Sequence, residues 1–279
     1  VLCADDYGIA PGVGKAIRDL IARGRLSATS CMTVSPYWLE EGAALKPYLQ
    51  RADIGLHFTL TDQRPLGPMP RTAPSGRLPS LPSLLLRALA RRLDRAEIAA
   101  ELNRQLDAFE AVLGRPPHYI DGHQHAHQLP VVREVVIEAF RARLGSHGGY
   151  LRYCTEPPRA ILARPHAAEA MIIHLLGRRL RELGRAAGIP GNPRFSGVHD
   201  FSGRRPYGAL FASFVRDAAP GLLVMCHPGL ADAALAAADR VTTAREAEYR
   251  YLLSDAFLAV LRENNLGLSR FASGRPVAS

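Results

Sequence analysis

Apolar positions along the chain fall into short unbroken runs that alternate with longer stretches of helical period. Residues 1–4 form an apolar run that reads as a buried strand, and residues 11–22 follow with helical spacing and Pro11 in the first turn. Residues 29–34 read as a second strand and 39–49 as a helical stretch. In the third strand, 53–60, Ile54, Leu56, Phe58 and Leu60 alternate with Gly55, His57 and Thr59. Helices predicted over 96–113 and 131–143 flank a strand at 118–121, and a further strand is predicted at 150–154. A helix over 167–187, a strand at 221–226, a helix over 243–263 and a last strand at 267–271 complete the series. Such alternation implies a mostly parallel sheet with helices outside it. The expected fold is α/β, a distorted (β/α) barrel of about seven strands, and 279 residues suit one domain over 1–279.

Residues 64–95 interrupt the pattern as a Pro/Arg-rich insertion. Pro65, Pro68, Pro70, Pro74, Pro79 and Pro82 precede the basic apolar run from Leu84 to Leu93. Placed directly after the His57 strand, this connection is positioned to wall or cover a site at the strand's end. A surface insertion with no role is the plainer reading, and a basic amphipathic helix also suits an anionic lipid surface or a lipid-linked substrate.

Composition narrows the classes. No apolar run approaches the roughly 20 residues of a membrane-spanning helix, so no stable membrane insertion is expected. The net charge of +9 comes almost wholly from arginine, since Lys15 and Lys46 are the only lysines. Those arginines are dispersed and carry no interleaved aromatic pattern, which argues against a nucleic-acid partner. Cys3, Cys31, Cys154 and Cys226 are scattered, mostly inside apolar runs, as suits buried reduced thiols and a cytoplasmic protein. A chain that begins at Val1 can have lost a leader, so the expected location rests on the thiols.

The candidate chemistry gathers at strand ends, where parallel α/β folds place their active groups. Asp5-Asp6 follows the first strand. Two carboxylates there can divide labour, one holding a divalent cation and the other accepting a proton from water. Their plain alternative is a loop cap and a surface charge. The segment Asp121-Gly122-His123-Gln124-His125-Ala126-His127 brings three imidazoles close together: alternate histidines share a side if it is extended, and His123 shares a face with His127 if it is helical. Asp121 can orient such ligands. His57 alone is as readily a core histidine, but with an Asp and a second His it completes a site with positions left for water and substrate. His227, before Pro228-Gly229, is either a general acid or a strand-end cap. From the residues alone the reading is a metal-dependent hydrolase.

Four motifs in order, Ala4-Asp5-Asp6-Tyr7-Gly8, Gly55-Leu56-His57, the Asp121 to His127 segment and Met225-Cys226-His227-Pro228, resemble the YdjC-like (ChbG/HpnK) family of carbohydrate deacetylases. The resemblance spans nearly the whole chain. It implies a barrel akin to polysaccharide deacetylases and one divalent metal ion held by Asp6, His57 and His123. Asp5 is then the general base and His227 the group that protonates the leaving amine. Arg152, in Tyr150-Leu151-Arg152, matches an arginine near the site, while His125 and His127 remain neighbours for substrate or ligand support. Tyr7 and Gly122 stand where Phe and Ser are common in the family, and neither change removes a ligand. The implied reaction hydrolyses the N-acetyl group of an amino sugar, on an oligosaccharide or a glycolipid, to a free amine and acetate.

Zinc leads among metals on the imidazole ligands, with magnesium or another divalent ion as alternatives. A homodimer is the prior for assembly. The competing classes are another metal hydrolase, such as a phosphoesterase or cyclic amidohydrolase, and a non-catalytic carbohydrate-binding protein. Amidohydrolases usually carry His-x-His on the first strand, where this chain has Asp-Asp.

Overall fold

The computed structural model describes residues 1–271, in which seven strands alternate with helices. In chain order, β1 is Leu2–Tyr7, α1 Pro11–Ala22, β2 Ala28–Cys31, α2 Trp38–Leu45 and β3 Asp53–Phe58. Then come α3 (Leu81–Leu89), α4 (Arg95–Leu113), β4 (Tyr119–Gly122), α5 (Val132–Arg143) and β5 (Tyr150–Leu151). Helices α6 (Pro158–Leu162) and α7 (Ala167–Ala186) lead to β6 (Arg194–Ser196), α8 (Tyr207–Val215) and β7 (Leu222–Cys226). The chain closes with α9 (Ala233–Ala238), α10 (Thr243–Leu253) and α11 (Asp255–Glu263). All neighbouring strands pair in parallel, in the order β5-β4-β3-β2-β1-β7-β6. Parallel pairing forces a crossover between strands, and helical crossovers cover the sheet.

The sheet curls until its two edges meet. Leu151 of β5 bridges Gly191, just before β6, and its N–H donates to the Pro190 carbonyl at 2.9 Å. Beyond that bridge the Asn192 amide stands in for a ladder: its Oδ1 accepts from the Tyr153 N–H and its Nδ2 donates to the Tyr153 carbonyl, both at 2.9 Å. The expected distorted barrel is therefore a curled sheet with a side-chain seam.

Period-two alternation divides the core. Leu2 and Ala4 of β1 join the large apolar cluster that includes helix residues such as Ile17 and Leu20. Cys3 joins a smaller cluster with Ala28, Tyr119, Tyr150 and Met225, which fills the curl. Two residues further along each of these strands, the same inward row carries Asp5, Ser30, Asp121, Arg152 and His227, and His57 occupies it on β3 above Gly55. One row of side chains thus changes from apolar filler to polar groups as it reaches the carboxyl end.

Two of the expected elements differ from the structure. Residues 267–271 form no strand of the sheet; Arg270 Nε and the Phe271 N–H instead donate to the Asp53 carboxylate at the start of β3. The seventh strand is β6, whose three residues are too few to show a period. The helix expected over 243–263 breaks at Ser254, whose hydroxyl caps the Phe257 N–H and opens α11. The insertion at 64–95 is not detached: Met69, Ala73, Leu78, Leu84 and Ala88 are buried in the main core. Among the described residues no helix is long and apolar enough to cross a membrane. The small-residue tail at 273–279 lies outside the described residues.

Candidate active site

A β-bulge makes the site. Between β1 and β2 the register runs Ala4 to Thr29 and then Tyr7 to Cys31, three steps on one strand against two on the other. The extra residue is accommodated at Asp6, whose φ of +65° is left-handed. In a regular strand adjacent carboxylates face opposite sides. With the bulge, Asp5 and Asp6 both line one cavity of about 760 Å³, together with His57, His123 and His227. The sequence showed the pair at a strand end; the turn responsible lies at Asp6 itself, one residue before Tyr7-Gly8.

Around Asp6, the imidazoles converge from two other strand ends. Asp6 Oδ1 is 3.2 Å from His57 Nε2 and 2.8 Å from His123 Nδ1. Its Oδ2 is held by Arg245 from α10 at 2.6 Å. His57 is oriented from behind: its Nδ1 is 2.7 Å from Asp121 Oδ1, and the Ser30 hydroxyl donates to the same carboxylate. Burial opposes charge on His57, yet the Asp121 field and hydrogen bond outweigh it and push the imidazole up to about 10. Burial would also raise Asp6, but Arg245 and His123 hold it well below the usual carboxylate range.

Asp5 has different company. Arg152, completely buried, donates from NH1 to Asp5 Oδ2 at 2.7 Å and from NH2 to Oδ1 at 2.6 Å. The same NH2 lies 2.6 Å from Asp121 Oδ2 and 2.9 Å from Cys3 Sγ. Against a burial cost that favours the neutral acid, Arg152 holds Asp5 far below its ordinary value. His227 Nε2 stands 4.0 Å from Asp5 Oδ2, and burial pushes this imidazole below its ordinary value.

The three histidines after Asp121 separate instead of clustering. The segment is neither extended nor α-helical: it is a tight 3-10 turn from His123 to Gln128 in which Gln124 and His125 are left-handed. Only His123 reaches Asp6. His125 faces Phe195 and Cys154, and His127 is fully buried with Nε2 3.1 Å from the Arg152 carbonyl. Burial, with Arg152 nearby, drops His127 to about 3. The tight turn also accounts for Gly122, because a Cβ there would sit 2.8 Å from the His127 backbone nitrogen.

Two groups of side chains have metal-ligand chemistry among the described residues. In Asp6, His57 and His123 one ligand atom from each lies within 4.8 Å of the others, all facing the cavity. The second group, Cys3, Asp5 and Asp121, encloses the Arg152 guanidinium, which already supplies its positive charge. The first group therefore fits a divalent cation and the second does not. Asp5, Asp6, Asp121 and Asp239 share the guanidiniums of Arg152 and Arg245, so the centre keeps an excess of negative charge. The field that raises His57 also favours a cation at its Nε2.

Several site groups escaped the sequence reading. Arg245 is buried, and its NH2 bridges Asp6 and Asp239, the latter at 2.5 Å. Ser30 lies beneath His57. Glu248, also on α10, accepts the His227 N–H at 2.6 Å and pairs with His199 Nε2 at 2.9 Å. Arg245 and Glu248 sit on a helix of ordinary charged composition, and only their burial marks them. From the insertion, Arg77, Ser80, Leu81 and Pro82 line the cavity.

Fold and site together define a curled α/β-barrel protein with a carboxylate and imidazole centre at the carboxyl ends of its strands. Residues 1–263 match the model of the YdjC-like protein family, and the chain belongs to that family. Chitooligosaccharide deacetylases of Yersinia pestis (strain Pestoides F) and Yersinia pseudotuberculosis serotype O:1b (strain IP 31758) are 39% identical to it over 137 residues. The match covers 49% of this chain and 53% of each relative, so it spans about half the length of those proteins. The fold is shared with the crystal structure of a candidate cellobiose-phosphate cleavage protein from Enterococcus faecalis V583, at a TM-score of 0.76 and 20% identity, covering 98% of this chain and 97% of that one.

Proposed function

We propose that the protein is a metal-dependent deacetylase that hydrolyses the N-acetyl group of an amino sugar to a free amine and acetate. The carrying observation is that Asp6, His57 and His123 converge on one point of the cavity while Asp5 stands beside them with a counter-charge of its own, Arg152. Family membership and the chitooligosaccharide deacetylases among the relatives support the choice of substrate.

Asp6, His57 and His123 would hold the ion. A divalent metal there would supply Lewis acidity toward the amide carbonyl and would make a nearby water more acidic. Asp5 is the proton acceptor: Arg152 keeps it ionised and fixed in direction. Holding the carboxylate so firmly lowers its basicity, so Asp5 suits a water whose acidity has already been raised. His227, 4.0 Å from Asp5, is the group placed to carry a proton to the departing nitrogen. Asp121 and Ser30 fix the His57 ring, and Arg245 fixes Asp6. His125 lines the cavity and is placed to meet substrate, while buried His127 supports the turn that delivers His123.

Zinc is the proposed ion, on two imidazoles and one carboxylate. Four free, buried cysteines support a cytoplasmic location. The chain is read as a single catalytic domain, and a homodimer is the proposed assembly. The test is acetate release from N-acetylglucosamine oligosaccharides by metal-loaded and chelator-treated protein. Release that requires added metal is expected, and equal release without metal would contradict the mechanism.

A further inference from the structure

The site cavity has one Phe, Tyr or Trp among its described lining residues, Phe201. It sits in the connection between β6 and α8, partly exposed, with its ring plane perpendicular to that of His227 and the centroids 5.0 Å apart. Its backbone is left-handed, φ +55°. Bulky residues avoid that region, and where one is held there the surroundings must over-determine it. They do so through one carboxylate. The Phe201 N–H donates to His199 Nδ1 at 3.3 Å, which leaves Nε2 as the protonated nitrogen that pairs with Glu248 Oε1 at 2.9 Å. The other Glu248 oxygen accepts the backbone N–H of His227 at 2.6 Å. Glu248 therefore ties two backbones to α10, that of His227 directly and that of Phe201 through His199.

An amino sugar in its ring form carries a face of C–H bonds, and an aromatic face with its negative quadrupole binds such a face well. We propose that Phe201 is the sugar platform of this cavity, a substrate-positioning residue that sets the pyranose against His227. This rests on the deacetylase reading. The backbone strain has a purpose in that arrangement, since it turns the ring to the cavity wall next to the proposed proton donor.

Phe201→Leu, Phe201→Ala and Phe201→Gly are compared with the unaltered protein for kcat, KM, thermal midpoint and calorimetric binding of chitotriose. Loss of the ring is expected to raise KM and the dissociation constant about tenfold, with kcat changed less than threefold. Glycine accepts the positive φ freely, so Phe201→Gly should melt no lower than Phe201→Ala while binding sugar equally poorly. If Phe201→Ala binds chitotriose as well as the unaltered protein, the platform is wrong. A lower midpoint for Phe201→Gly than for Phe201→Ala would show that the backbone at 201 carries no left-handed strain and would overturn the strained platform. Should the unaltered protein bind chitotriose without releasing acetate, the deacetylase reading fails alone, and the binding comparison still decides the platform. Chitotriose that does not bind at all overturns both.

Discussion

Asp5 and Asp6 are adjacent in sequence and equally buried, yet one bulge sends them into different chemistry. Asp5 keeps the strand's inward direction and meets Arg152, which spends both terminal nitrogens on it and also reaches Asp121 and Cys3. Asp6, turned by its positive φ, gives one oxygen to the histidines and the other to Arg245. The first carboxylate is fully engaged by a cation of the protein, whereas the second keeps an oxygen among neutral-capable nitrogens. A pair of like residues is thus suited to the two proposed roles, proton acceptor and metal ligand, because their counter-charges come from opposite sides, the segment just past β5 and α10.

The comparison breaks most visibly on the Asp6 side. His57→Ala should lose both metal, read by elemental analysis, and turnover; retained metal would remove His57 from the ligand set. Next, Arg152→Met leaves Asp5 without its fixed partner, and turnover should fall roughly 10²-fold, within the range of general-base effects, with metal content kept. Loss of metal in that variant would mean that Arg152 acts chiefly on the ligands, through Asp121 and His57. Arg245→Met acts on the other side: metal affinity should weaken about tenfold, as for groups that orient a ligand. Arg245→Lys should recover less than charge alone predicts, because one ammonium cannot reproduce the fork that joins Asp6 and Asp239. An unchanged affinity would reduce Arg245 to packing.

The smallest effect concerns the turn that carries His123. His127, fully buried, is held near 3 while an unfolded histidine titrates near 6.5. Between those values the unfolded chain binds the extra proton. The contribution is therefore fully present above about 6.5 and falls as pH drops toward 3, by on the order of 1 kcal/mol per pH unit. His127→Gln should flatten the fall in thermal midpoint between pH 6.5 and 4. An unchanged slope would place that proton elsewhere.

Much of this was legible locally. The strands that end in Asp5, His57 and Asp121 announce themselves by apolar runs or alternation, and the polar residues closing them stand where the inward row leaves the core. Other features depend on contacts that no local pattern records. The bulge is a mismatch between β1 and β2, visible only once they pair. Three residues of β6 carry no period, so the longer run 267–271 reads as the seventh strand instead. The His123 to His127 spacing suggested a cluster under either regular geometry, and the left-handed Gln124 and His125 gave neither. Arg245 and Glu248 belong to none of the motifs that carry the other site residues, and they lie on a helix with many exposed charges. Ser254-Asp255-Ala256-Phe257, by contrast, held a capping signal within the expected 243–263 helix.

The division between the two carboxylates is tested most directly by measuring metal content and acetate release on the same preparations of Asp5→Asn and Asp6→Asn. The expected result is that Asp5→Asn holds a full complement of metal and releases acetate at least about 10²-fold more slowly, while Asp6→Asn loses both. Normal acetate release by Asp5→Asn, or full metal in Asp6→Asn, would contradict the account.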